Sequence, residues 1–271
     1  MYLDYYHLRE MPFDITPNPR FLFYSTKHRE AYNHLMYGIR ERKGFVQLTG
    51  EVGAGKTTLC RAMLEQLDGQ YATALILNPA ISPDRLVKAI AMEFGLDVRG
   101  MDSLETLDAL NLFLLRLAED GRDAVLIIDE AQDLTDEGLE QVRLLSNLEL
   151  DYRKLIQIVL MGQPELRDRL NNPALRQLRQ RITVRYHLKA LTREEVRHYI
   201  RHRLNVSGAN GCPRFTHPAL WRIQSYAQGV PRLVNAVCDK ALLAGFVNRC
   251  DRIDYRTIGV AIRELEGDIG S

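Results

Sequence analysis

Several things are scarce in this chain of 271 residues, and each scarcity excludes a class of protein. Only four cysteines occur: Cys60, Cys212, Cys238 and Cys250. None forms a C-x-x-C pair or has histidines at zinc-finger spacing, which argues against a disulfide scaffold and a zinc module. They are expected to be small, reduced, mostly buried side chains, which fits a cytosolic setting. Apolar runs such as 124–128 and 241–247 fall far short of the roughly 20 residues that span a bilayer. The opening residues, MYLDYYHLREMPF, are broken by charges and lack the apolar core of a signal peptide. A soluble, cytoplasmic protein with no transmembrane segment is expected, free to dock peripherally at the inner membrane through a partner. Excess charge is missing too: 36 Lys and Arg oppose 35 Asp and Glu, for a net +1. That balance leaves nucleic-acid binding to local patches. No internal repeat or low-complexity tract is present. The seven histidines are scattered. His28, His34, His198 and His202 fall on helical stretches without a third metal ligand and read as surface residues.

What is there is an ordinary globular composition, 46% apolar and 26% charged. The length suits an α/β core with a small appended domain. Short apolar runs at 45–48, 73–77, 125–128, 156–160 and 182–188 read as strands. Helical patterns at 57–67, 83–94, 104–119 and 139–148 separate them, and another precedes them at 28–42. Ser82 before Pro83 reads as a capping hydroxyl ahead of a first-turn proline. Strands alternating with helices indicate a parallel sheet covered on both faces. After residue 188 the strand signals stop. Thr192 and Glu195 form a capping box opening a helix to about 206, and further helices read at 218–226, 231–246 and 255–265. The expected fold is α/β: a five-stranded parallel core over 44–190, an N-terminal segment over 1–43 packing on it, and an all-helical lid over 191–271.

The strongest motif is Gly50, Glu51, Val52, Gly53, Ala54, Gly55, Lys56 and Thr57, followed by Thr58. It matches G-x-x-x-x-G-K-[ST] between a strand and a helix, where a phosphate loop belongs. Glycines let backbone N–H groups curl around phosphate oxygens, and the helix start points its dipole at the same anion. Lys56 can then reach the β- and γ-phosphates of ATP, and the Thr57 hydroxyl can ligate Mg2+. Residues 124–128 form a second signal, an apolar strand delivering Asp129 and Glu130 to the carboxyl edge of the sheet. Asp129 would hold Mg2+, directly or through water. Glu130 would activate the attacking water, which separates a hydrolase from a binder.

Three weaker signals stay open. Gln163 ends the next strand and either reads the phosphate or merely sits in a turn beside Gly162 and Pro164. Arg176, Arg179 and Arg181, with Arg185 behind them, are a solvated basic face, a DNA contact, or a source of a guanidinium acting in trans on transferring phosphate. Arg232 follows Gly229, Val230 and Pro231 at a helix start, where the dipole disfavours a cation unless an anion is near.

Taken together, Pro12–Phe13, Asn18 to Leu22, the loop 50–58, Asp129 to Gln132, Gly162 to Leu166, Arg181–Ile182 and Gly229 to Arg232 make the chain resemble ExeA/GspA-type AAA+ ATPases. That group includes the MshM proteins of the MSHA pilus and ATPases of exopolysaccharide and sorting loci. The resemblance runs to about residue 268. It implies an AAA+ core with a helical lid, with Gln163 as sensor 1, Arg232 as sensor 2, and Asn78 as the polar residue restraining Glu130. Arg181, and after it Arg176, would be the trans-acting finger. Residues near Phe13 and Phe23 would help line the adenine pocket. ExeA and GspA proteins proper continue into a membrane span and a peptidoglycan-binding domain, so the likeness is to their ATPase part or to shorter soluble members. The implied function is an ATP-switched homo-oligomer assisting an envelope machine: type II secretion, a pilus or a polysaccharide exporter. The alternative is a transposition regulator of the TniB/MuB/TnsC sort, an ATP-dependent filament on DNA with 176–185 and 193–203 as its track. A nucleotide-dependent scaffold that hardly hydrolyses is a third reading, against which Glu130 argues.

Overall fold

A computed structural model describes residues 1–67, 69, 71–150 and 153–267. The described residues divide into two compact units. The α/β unit comprises residues 29–50 and 59–188. The second comprises 1–28, 51–58 and 189 onward.

The α/β unit is built on a five-stranded parallel sheet. Its strands are β1 (Phe45–Gly50), β2 (Tyr71–Ile76), β3 (Asp123–Ile128), β4 (Ile156–Gly162) and β5 (Ile182–Leu188). Their spatial order is β2-β3-β4-β1-β5. The register pairs Ile128 with Leu160 across β3 and β4, and Thr49 with Gly162 across β1 and β4. β1 and β4 are buried along their whole length. Continuous apolar runs are what a parallel sheet covered on both faces requires. One apolar core includes Leu126, Ile128 and Leu160 of the strands with Leu86, Leu110, Leu139 and Val142. Ser82 is the N-cap of Pro83–Glu93, but its hydroxyl makes no cap bond; the proline at the first position does the work of starting that helix. The helix expected over 139–148 runs over Asp136–Leu145, capped by Thr135. A two-residue antiparallel pairing, Glu149–Leu150 with Arg153–Lys154, was not legible in the sequence.

The other unit is mainly helical. Its long elements are α1 (Arg193–Val206), α2 (His217–Ala227), α3 (Pro231–Val247) and α4 (Tyr255–Leu265). The Thr192–Glu195 capping box opens α1 as expected. The unit is not all-helical: Arg214–Phe215 and Arg252–Ile253 pair as a two-residue parallel ladder, too short to leave a periodic signal. The N-terminal segment also departs from the expected sequential division. Tyr2, Tyr6, Leu8 and Phe13 join Val196, Ile223, Val237 and Leu242 in the core of this unit. Burying each such side chain is worth about 1.5–3 kcal/mol. Arg203 fixes the segment: its guanidinium donates to the carbonyls of Pro12 and Asp14 and to the Tyr199 hydroxyl, and lies over the Phe21 ring. Cys60 and Cys238 are buried, Cys212 half-buried and Cys250 exposed; all four are free thiols. No helix among the described residues is long and apolar enough to cross a membrane.

Candidate functional site

β1 ends at Gly50, and the helix Lys56–Leu67 opens six residues later. Between them Gly53 and Gly55 adopt φ of +76° and +97°, which side-chain-bearing residues rarely reach. Gly53 is also closely confronted: a Cβ there would lie 2.4 Å from Cβ of Arg232. Arg232 is the second residue of α3, after Val230 at the N-cap and Pro231. Its backbone N–H donates to the Gly53 carbonyl at 3.2 Å. The structure thus brings Arg232 against the phosphate loop, with its side chain exposed. Lys56 is buried, 5% exposed, and its Nζ donates to the Glu51 carbonyl at 3.1 Å. Ala54 is buried, Thr57 and Thr58 half-buried, and Glu51 and Val52 exposed. Left-handed glycines entering a helix start, with a sheltered ammonium, fit a nucleotide phosphate.

His28 holds this loop from behind. It is 3% exposed, with Nδ1 2.8 Å from the Ser25 hydroxyl and Nε2 3.0 Å from the Ala54 carbonyl. A carbonyl only accepts, so Nε2 carries the proton and Nδ1 accepts from Ser25. Burial pushes the imidazole below its usual value, keeping it neutral. His28 is therefore not the surface residue expected. His202, expected at the surface as well, is half-buried, and its imidazole is likewise lowered, first by burial and then by Arg203.

In the α/β unit the acidic pair follows β3. Asp129 is buried; its N–H donates to the Ile76 carbonyl, and its Oδ1 accepts from the Glu130 N–H at 2.9 Å. Glu130 adopts φ 50° and ψ 39°, a left-handed conformation unusual for a residue with a side chain. Holding it there costs on the order of 1–3 kcal/mol, and such strain persists where surrounding contacts enforce it. Those contacts are visible. Glu130 Oε2 accepts from Gln132 Nε2 at 2.8 Å and from Gln163 Nε2 at 3.3 Å. Gln132 Oε1 accepts from the Gln163 backbone N–H at 3.0 Å. Gly162 makes room, since a Cβ there would lie 2.6 Å from Gln132 Oε1. Arg169 clamps the turn, donating to the Gln132 carbonyl at 2.5 Å, to the Leu134 carbonyl, and to Asp136 Oδ1 at 2.6 Å. Gln163 and Glu130 are thus brought together, with Gln132 and Arg169 as partners the sequence reading missed. The spacing of Gln132 two residues past Glu130 was the available signal. Cys60 lies nearby; burial, and secondarily the Asp129 charge, push its thiol up to about 12.

Other expected residues are placed differently. Asn78 is exposed and accepts from Ala80 N–H at 3.4 Å; among the described residues it makes no bond to Glu130. Phe13 is 1% exposed and packs edge-on to Phe215, leaving no face for an adenine ring. Phe23 packs on Tyr199 and His202. In the arginine cluster, Arg181 donates to Ser146 Oγ at 2.7 Å and to the Arg143 carbonyl, so much of its guanidinium is engaged within its own unit. Arg179 donates to Asn171, and Arg185 to the Arg179 carbonyl. Arg176 is exposed, and its guanidinium has no partner among the described residues.

Residues 39–170 match the AAA domain family. General secretion pathway protein A of Aeromonas hydrophila is 46% identical over 268 residues, covering 98% of this chain and 49% of that protein. The chain thus spans about half the length of that curated relative. Among solved structures, the Aeropyrum pernix ORC2 protein superposes with a TM-score of 0.69 at 19% identity, covering 94% of this chain and 71% of that one. The Thermotoga maritima RuvB branch migration motor superposes with a TM-score of 0.59 at 18% identity, covering 89% and 69%. At such identities the structural likeness concerns the fold, an AAA+ arrangement of parallel sheet and helices. With the phosphate loop, the acidic turn after β3 and the kinship to the secretion protein in agreement, residues 39–170 form an AAA domain, and the chain is similar along nearly its whole length to the ExeA/GspA type.

Proposed function

We propose that the chain hydrolyses Mg-ATP and acts as an oligomeric switch in the assembly of an envelope machine. The observation that carries the hydrolase reading is Glu130, held in a strained conformation by the amides of Gln132 and Gln163. A carboxylate held in one fixed orientation suits a general base, and strain of this kind gathers at functional sites. In this reading the loop 50–58 and Lys56 bind the phosphates. Thr57 and Asp129 would hold Mg2+, which would neutralise phosphate charge. Glu130 takes the proton of the attacking water. Gln163 reports the γ-phosphate to the turn after β3. Arg232 supplies charge from the lid.

The positive charge that the transition state demands would come from a neighbouring copy. Arg176 is exposed and unengaged, which favours it for this task over the tethered Arg181. The envelope role is supported by kinship to General secretion pathway protein A, and its partner is expected to be a protein of that machinery. Phosphate release from Mg-ATP tests the first part: it should require the divalent cation and vanish in Lys56→Ala. For the second, a Glu130→Gln form held in its ATP state should retain an envelope-assembly protein. Retention of duplex DNA instead, with affinity falling steeply with salt, would favour the transposition-regulator reading.

A further inference from the structure

A second feature of the helical unit plays no part in nucleotide chemistry. Arg193, Arg197 and Arg201 stand four residues apart along α1, and so share one face of it. All three are exposed, and none has a hydrogen-bond or ion-pair partner among the described residues. Like charges at this spacing repel, and Arg193 occupies the first turn, where the helix dipole disfavours a cation. Glu194 and Glu195 share that first turn, yet neither forms an ion pair with the row among the described residues.

Beside the row lies a hollow of about 370 Å³ whose floor includes Ile200, Leu204, Phe215 and Leu220. Arg214 and His217 line it as well, the former fixed by donation from Nε to the Gly211 carbonyl at 2.7 Å. An adjoining hollow of about 400 Å³ shares Arg197, His217 and Leu220 and extends to Arg193 and Trp221. Trp221, the chain's one tryptophan, is 47% exposed at that end. Against these four arginines stands one carboxylate among the residues lining the two hollows, Glu194 of the second.

An apolar floor under a row of unpaired guanidinium groups suits a ligand that is both apolar and anionic. We propose that this face is a docking groove for an acidic peptide segment of a partner protein. An aliphatic or aromatic side chain would fill the hollow, and flanking carboxylates would pair with Arg193, Arg197 and Arg201. Guanidinium groups pair with carboxylates bidentately, and an anchored side chain in a small pocket is the usual energetic centre of a peptide site. Duplex DNA would satisfy the arginines through its phosphates yet leave the apolar floor without a partner. Docking here does not depend on whether the chain hydrolyses ATP, because no residue of the groove belongs to the nucleotide loop or the Glu130 turn.

The test uses the full chain and a positional-scanning array of blocked nonapeptides. Expected is selection of Asp or Glu on both sides of a Leu, Ile or Phe position. The selected peptide should then bind saturably and shift Trp221 emission, with affinity falling as salt rises. The double variant Arg197→Glu, Arg201→Glu should weaken it by about tenfold or more, as should replacing the peptide's acids by amides. Unchanged melting and nucleotide affinity in that variant would assign the loss to the groove. Selection without acidic residues, or equal binding by the double variant, would overturn the proposal. So would a duplex of roughly 20 base pairs that displaced the peptide at lower concentration through the same arginines.

Discussion

Gln132 donates through Nε2 to Oε2 of Glu130 at 2.8 Å, across a turn in which Glu130 is left-handed. Gln163 donates a second amide to the same oxygen, and its backbone N–H donates to Gln132 Oε1. The three side chains form one closed set, so their contributions are coupled rather than additive. Gln132→Ala should leave ATP affinity within about twofold and lower kcat roughly tenfold, since a positioned base contributes on the order of 10²–10⁴. Gln132→Ala combined with Gln163→Ala should cost less than the product of the single effects. Steady-state kinetics of the four proteins checks this; multiplicative losses would break the claim of a single unit.

Gly53 predicts a structural failure. Its φ of +76° and the 2.4 Å that would separate an added Cβ from Arg232 both oppose a side chain. Gly53→Ala should destabilise the protein by about 1–3 kcal/mol and weaken ATP binding with it. Calorimetric melting with and without nucleotide measures both, and a wild-type profile would deny that loop and α3 are so closely apposed.

His28 predicts a pH dependence. Burial holds its folded-state value below the usual one, so the native imidazole stays neutral while the unfolded one titrates near about 6.5. As pH falls below that value the unfolded chain binds more protons, and stability declines toward the depressed folded value. Above it the contribution of His28 is complete. His202 acts in the same direction. In His28→Gln, whose amide can still donate to Ala54, the acid-side slope of melting temperature should flatten to the part left by His202. An unchanged slope would mean that His28 is not buried neutral.

The phosphate loop and the acidic pair were legible because each is a local pattern tied to a strand end, and five apolar runs announced five strands. What could not be read was set by distant partners. Nothing near His28 in sequence signals that Ala54 receives its ring nitrogen. Asn78 was expected to restrain Glu130, and nothing local showed that the turn after β3 would bend Gln132 back to do so. The aromatic N-terminus carried no sign of which unit it would enter; Arg203, far along the chain, decides this by binding the Pro12 and Asp14 carbonyls. The ladder of Arg214–Phe215 with Arg252–Ile253 is too short for periodicity to register.

Self-association should govern turnover. Arg176 is exposed and unengaged, so specific activity should rise with protein concentration, and Arg176→Ala should bind ATP normally yet hydrolyse at least tenfold more slowly. Mixing Arg176→Ala with Lys56→Ala should restore part of the activity, because a mixed interface can pair an intact loop with an intact arginine. Arg181→Ala should instead lower the melting temperature, having lost its bonds to Ser146 and the Arg143 carbonyl. Concentration-independent turnover by a monomer would refute the arrangement.

The central claim is that Glu130 is the base of an ATP hydrolase, and Glu130→Gln addresses it directly. The amide keeps the size of the side chain and removes its ability to take a proton. Equilibrium binding of labelled ATP, measured alongside steady-state phosphate release, should show affinity retained and turnover reduced by about 10²–10⁴. Parental turnover in Glu130→Gln, with ATP bound as tightly as before, would contradict the account.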